Sequence, residues 1–135
     1  MRIVHINSES SWGGGEAQTC HLICGLQRRG VENILIAPPG SQIARRIAEN
    51  GVRVIEQSMH GEWDVVAIVR LIRILRDLRP DVLQLHTSHA HTLGLLAGRL
   101  AGARSIVATR RMDHAIKGPL AALKYRRVDR VVAIS

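Results

Sequence analysis

Three short segments of the sequence carry residues whose types and spacing can do chemistry. The first is Trp12-Gly13-Gly14-Gly15-Glu16. Consecutive glycines let the backbone approach a ligand closely. A helix starting there would aim free N–H groups and its positive dipole end at the same place, which suits a phosphate or carboxylate. The pattern is not a dinucleotide fingerprint, because counting from Gly13 and Gly15 the last glycine position holds Gln18. Nor does an acid end the second strand to hold a ribose, since Pro38 and Pro39 stand there. A Gly-Lys-Ser/Thr phosphate loop is absent as well.

The second segment holds His86, His89 and His91. Three imidazoles so close invite a zinc reading, but no nearby carboxylate or thiol completes a tetrahedral set. Neutral imidazoles of His86 and His89 are better used in hydrogen bonds to hydroxyl groups. Ser88 is expected to cap the helix that follows. In the third segment Arg110 and Arg111 leave a strand end, with Asp113 and His114 just beyond. Paired arginines suit phosphate recognition, unless Arg111 pairs with Asp113 or faces water. His5, inside an apolar strand, reads as a hydrogen-bonded core residue, and His21 and His60 as surface residues.

The elements that must position these segments alternate strictly. Strands are expected at 3–6, 34–37, 52–55, 82–85, 105–108 and 131–134. Helices are expected at 16–29, ended by Gly30; from a Ser41 cap through Asn50; from Asp64 to Arg79, ended by Pro80; and from the His-rich turn to about Ala101. A shorter helix is expected around Leu120 to Tyr125. In the fourth of these, Ala90, Gly94 and Gly98 recur every four residues and make a smooth face for close packing on a sheet. Such alternation predicts an α/β fold, a doubly wound parallel sheet of Rossmann-like type with helices on both faces. Ligands of such sheets bind beyond the carboxyl ends of the strands, where all three segments fall.

Composition narrows the partners. The net charge is +8, carried almost wholly by Arg, and Phe is absent. From Arg99 to Arg130 nine basic residues face only Asp113 and Asp129. Without an aromatic platform this is a poor nucleic-acid binder, so a phosphorylated small molecule or an anionic membrane surface is the expected partner. The stripe Arg70, Arg73, Arg76 and Arg79 reads as a solvated face able to touch anionic lipid. Cys20 and Cys24, four apart, read as reduced thiols. No apolar run reaches the roughly 18 residues of a membrane span, and the expected location is the cytoplasm, at most peripheral to the membrane.

Four pieces in order carry a family resemblance: Trp12 to Glu16, the helix end Leu26-Gln27-Arg28-Arg29-Gly30, the strand Asp81 to His86, and Val128 to Ser135. Together they resemble the family-four retaining glycosyltransferases of the GT-B fold. The resemblance implies one half of a two-domain GT-B architecture. Residues 1–135 would form the N-terminal, acceptor-side domain, and a C-terminal donor-binding domain would be missing from this chain. It implies transfer of a sugar from a nucleotide-diphosphate sugar to a glycan or glycolipid, lipopolysaccharide-like, with retention. No metal or other cofactor is implied, because Arg, Lys and helix ends neutralise the diphosphate. Catalytic roles would fall to His86, Arg111 and His114, and substrate or phosphate binding to Gly13, Gly14, Gly15, Glu16, Ser88, His89 and Arg110. Arg111 stands where the family has the His of a Thr-x-His pattern, so that either His114 substitutes for it or Arg111 contacts a phosphate on the acceptor. Two other readings keep the same sheet: a non-catalytic phosphate- or nucleotide-binding module, and a sugar-nucleotide epimerase.

Overall fold

The computed structural model describes residues 1–61, 63–110, 119, 123 and 126–133. Among them six strands form one parallel sheet: β1 (Arg2–Ile6), β2 (Glu32–Ala37), β3 (Arg53–Glu56), β4 (Val82–Leu85), β5 (Ile106–Arg110) and β6 (Arg130–Ala133). Four helices alternate with the first five strands: α1 (Gly14–Arg28), α2 (Gln42–Glu49), α3 (Val65–Leu78) and α4 (Ser88–Ala101). The strand order is β3-β2-β1-β4-β5-β6, every pair parallel. The order reverses between β1 and β4, so the crossovers diverge there and leave a crevice at the carboxyl edge.

Residues of alternating parity face opposite sides of the sheet. Val4, Ile6, Ile34, Ile36, Leu83, Leu85, Ile106 and Ala108 build one core with α3 and α4. Leu35 and Ala37 build the other with Ile23 of α1 and Ile43, Ala44 and Ile47 of α2. The smooth face of α4 is used as its spacing predicts. A Cβ on Gly94 would lie 2.3 Å from Leu85 Cδ2, and one on Gly98 2.6 Å from Leu83 Cδ2. A Cβ at either position would force the buried leucine beneath it to shift.

The caps follow side-chain chemistry. Ser41 Oγ accepts from the Ala44 amide and Asp64 Oδ1 from the Ala67 amide, at 3.4 and 3.1 Å. At α4 the cap is Thr87, not Ser88: Thr87 Oγ1 accepts from the Ala90 amide at 3.4 Å. Two adjacent hydroxyls compete for that position, and the extended backbone of Thr87 wins it (φ −131°, ψ 167°). Ser88 and His89 therefore belong to the first turn of the helix. Three other elements outrun an expected bound by two residues, β2 by starting at Glu32. β5 continues through Thr109 and Arg110 because β6 pairs with it there, Thr109 with Val132 and Arg110 with Ala133. α1 begins at Gly14, so Gly14 and Gly15 form its first turn. The helix expected around Leu120 to Tyr125 falls, apart from Leu123, outside the described residues.

Candidate functional site

The crevice between β1 and β4 is lined by the β1–α1 loop and by the residues that follow β4. His86 leaves β4 with its amide held by the Ile6 carbonyl at 3.0 Å, and it is 3% exposed. Its Nε2 lies 3.0 Å from Nδ1 of His5, in the middle of β1. His5 Nε2 in turn lies 2.9 Å from Oδ1 of Asn33 on β2. Three adjacent strands thus contribute one buried polar row.

The protons in that row can be placed by working back from a backbone carbonyl. Asn33 Nδ2 donates to the Val31 carbonyl at 2.9 Å, and a carbonyl can only accept. Asn33 Oδ1 therefore accepts from His5 Nε2–H. Burial pulls the His5 pKa from 6.5 down to about 4, against the opposing effect of the Asn33 bond. His5 is accordingly neutral near pH 7, and its Nδ1 carries a lone pair. His86 therefore donates to it through Nε2–H. The rings lie 21° from parallel with centroids 5.2 Å apart, as expected of imidazoles meeting nitrogen to nitrogen.

The β1–α1 loop is tied to the same place. Thr87 Oγ1 accepts from the Ser8 amide at 3.1 Å and shares a hydrogen bond with Ser8 Oγ. Asn7 Oδ1 accepts from the Glu9 amide at 2.9 Å. The fully buried Nδ2 of Asn7 has no partner among the described residues. Trp12 is clamped by Arg46 of α2, whose guanidinium carbon lies 4.1 Å from the ring centroid.

The glycine turn supplies backbone and a carboxylate. Gly13 caps α1 with no side chain, so the first turn keeps its amides for other partners. Glu16, in that turn, is 7% exposed, and its Oε2 would lie 3.3 Å from a Cβ placed on Gly13. A carboxylate already faces the positive helix end, so the turn suits hydroxyl groups, which both donate and accept, better than a second anion.

Of the residues singled out in the sequence, Gly13, Glu16 and His86 lie in or beside this crevice. Gly14 and Gly15 open α1 beneath it, and Ser88 and His89 are exposed in the first turn of α4. Arg110 ends β5 but its side chain, like all of Arg111 and His114, lies outside the described residues. Asn33 and Asn7 escaped sequence reasoning, whereas Ser8 and Thr87 lie within the stretches 8–16 and 86–91 that it marked, without a role of their own. One signal was present: Asn33 and His5 are polar residues inside otherwise apolar strands. No group of three metal-ligating side chains occurs among the described residues. A pocket of about 440 Å³ lies at the opposite, amino edge, lined by Arg76, Arg79, Asp81 and Arg104 among others. It faces the C-terminal ends of α3 and α4, which disfavour anions, and is remote from the crevice.

Residues 13–135 match the family described as the glycosyl transferase 4-like domain. The chain belongs to that family. No curated protein matches it. Among solved structures, this glycosyltransferase-family domain resembles a glycosyltransferase from Rickettsia africae, with 17% identity and a TM-score of 0.77 over 99% of the chain and 36% of the other. It also resembles MurG of Acinetobacter baumannii, with 17% identity and a TM-score of 0.74 over 98% of the chain and 40% of the other. A third is Anabaena HepE in complex with UDP-glucose, with 14% identity and a TM-score of 0.73 over 95% and 35%. At these identities the likeness shows the shared fold. The glycosyltransferase domain spans at most two fifths of the length of these three proteins.

Proposed function

We propose that this domain forms the acceptor-side wall of the active site in a retaining glycosyltransferase, which uses a nucleotide-diphosphate sugar and a glycan or glycolipid acceptor of lipopolysaccharide-like type. The observation that supports it most is the fixed His86, oriented by His5 and Asn33 at the switch point beside the glycine turn. Imidazole, backbone amides and the Glu16 carboxylate together match a surface of sugar hydroxyls. In this reading His86 hydrogen-bonds a sugar or acceptor hydroxyl, Gly13 to Gly15 bring backbone amides to it, and Glu16 accepts from a neighbouring hydroxyl. Ser88 and His89 contact the acceptor from the rim. Arg110 and Arg111 neutralise phosphate, and His114 stands in for the family's usual histidine. The diphosphate leaving group is neutralised by cationic side chains and helix ends without a metal. The remaining wall belongs to a donor-binding domain beyond these residues, so the domain alone is inactive. The enzyme works in the cytoplasm, in peripheral contact with an anionic membrane. No helix among the described residues is long and apolar enough to cross a membrane.

The test is a transfer assay on the full-length protein with UDP- and dTDP-sugars and deacylated lipopolysaccharide, the product anomer being read by proton NMR. Retention is expected. His86→Ala should lower kcat/KM by about 10–100-fold, the value of one hydrogen bond at a buried site. Inversion, or unchanged kinetics in His86→Ala, would overturn the assignment.

A further inference from the structure

The helix α3 and the turn before it present four apolar residues to solvent at the helix's N-terminal end. Its buried stripe is Ala67, Leu71, Leu75 and Leu78. At 100° per residue, Val65, Val69, Arg73 and Arg76 fall on the opposite side, with Val66 and Arg70 flanking them. Trp63 in the preceding turn is 76% exposed, and Val65, Val66 and Val69 are 67%, 60% and 43% exposed. A contiguous exposed patch of this kind marks an interaction surface rather than chance. The Asp64 carboxylate between them is occupied, accepting from the Ala67 and His60 amides. Farther along, Arg70, Arg73 and Arg76 are exposed against the single acid Asp77. An apolar, Trp-bearing tip followed by a basic band is the arrangement that lies in a membrane interface, with indole at headgroup depth and guanidinium groups on lipid phosphates.

We infer that the outward face of α3, from Trp63 to Arg73, is the surface by which the protein docks on an anionic lipid bilayer. This rests on the glycolipid-acceptor reading above and gives membrane contact a location. The tip of α3 follows β3, so it lies at the carboxyl edge of the sheet, the same edge as the crevice. The patch itself is on the helix flank. Docking there would bring the crevice edge to headgroup level.

The test uses the full-length protein in vesicle sedimentation, with phosphatidylcholine alone and with phosphatidylcholine containing a third phosphatidylglycerol. Binding is expected only to the anionic vesicles and should weaken with salt. Trp63→Ser/Val66→Ser and Arg70→Glu/Arg73→Glu should each reduce it at least tenfold, with unchanged circular dichroism and thermal melting. Hydrogen exchange should show vesicle protection of residues 60–70. No binding, or binding indifferent to both variants, overturns the inference. So does protection of residues 60–70 without lipid, which would mean that another part of the protein or a second copy covers the patch. Turnover of a soluble acceptor should survive Trp63→Ser/Val66→Ser. Its absence in the unmodified protein would sink the enzymatic reading and leave lipid docking standing.

Discussion

Replacing His5 by Gln should flatten the acid sensitivity of this domain. His5 is fully buried and titrates at about 4, whereas an exposed histidine in the unfolded chain titrates at 6.5. Between those two values the unfolded chain binds a proton that the folded one refuses. Stability therefore falls as pH drops from 6.5 toward 4, by about 1.4 kcal/mol per pH unit, and the loss through this residue comes to about 3 kcal/mol. Above 6.5 neither state is protonated and the contribution is constant. His5→Gln cannot titrate. Its own cost, about 1–3 kcal/mol from disturbing the bonds to Asn33 and His86, should be present at pH 7 and largely offset at pH 4. Urea unfolding at a series of pH values, followed by circular dichroism, measures both proteins. Comparing them cancels carboxylates such as Asp64 and Asp129, whose pKa values are held down by backbone amide bonds in both. A pH 7 to pH 4 change in the stability difference below about 1 kcal/mol would refute a buried, neutral His5.

Two other substitutions probe the frame around the site. Gly94→Ala places a Cβ 2.3 Å from Leu85 Cδ2 and 3.2 Å from Ile6 Cδ1. Overpacking should cost about 1–3 kcal/mol, offset by at most about 1 kcal/mol of helix propensity, so the melting temperature should drop by up to a few degrees; a raised Tm would show that α4 does not sit as low as described. Thr87→Val keeps shape but removes the hydroxyl that caps α4 and holds Ser8. A loss of about 2 kcal/mol is expected, with faster amide exchange at Ser8 and Ala90, and slow exchange at Ser8 would count against the tie between the two loops.

Much of the fold was legible because local rules and the global fold agree. The apolar run Val82 to Leu85 is bounded as it reads, Ser41 caps α2, and the small face of α4 meets the leucines of β4. The misread bounds have tertiary causes. β5 is lengthened by its pairing with β6, which no window around Thr109 can reveal. The site was half legible. His86 and the glycine turn announce themselves by residue type, and His5 reads correctly as a hydrogen-bonded core residue. Its partners do not follow from sequence, because His86 is 81 residues away and Asn33 is 28, and only the strand order brings them together. The choice of Thr87 over Ser88 as cap turns on one backbone dihedral pair, a distinction hidden in two adjacent hydroxyl residues. Glu16 shows a further limit. The motif reads as an anion cradle until the structure shows a carboxylate folded into it.

The central claim is that the crevice between β1 and β4 takes the acceptor, while the donor nucleotide is held elsewhere. Amide chemical shifts of the isotopically labelled domain, titrated separately with deacylated lipopolysaccharide and with UDP, test it most directly. The acceptor should shift residues 8–16 and 86–90 in a saturable way, and UDP alone should leave them in place. Saturable shifts from UDP at residues 8–16, or acceptor shifts confined to the amino-edge pocket around Arg76 and Arg104, would contradict it.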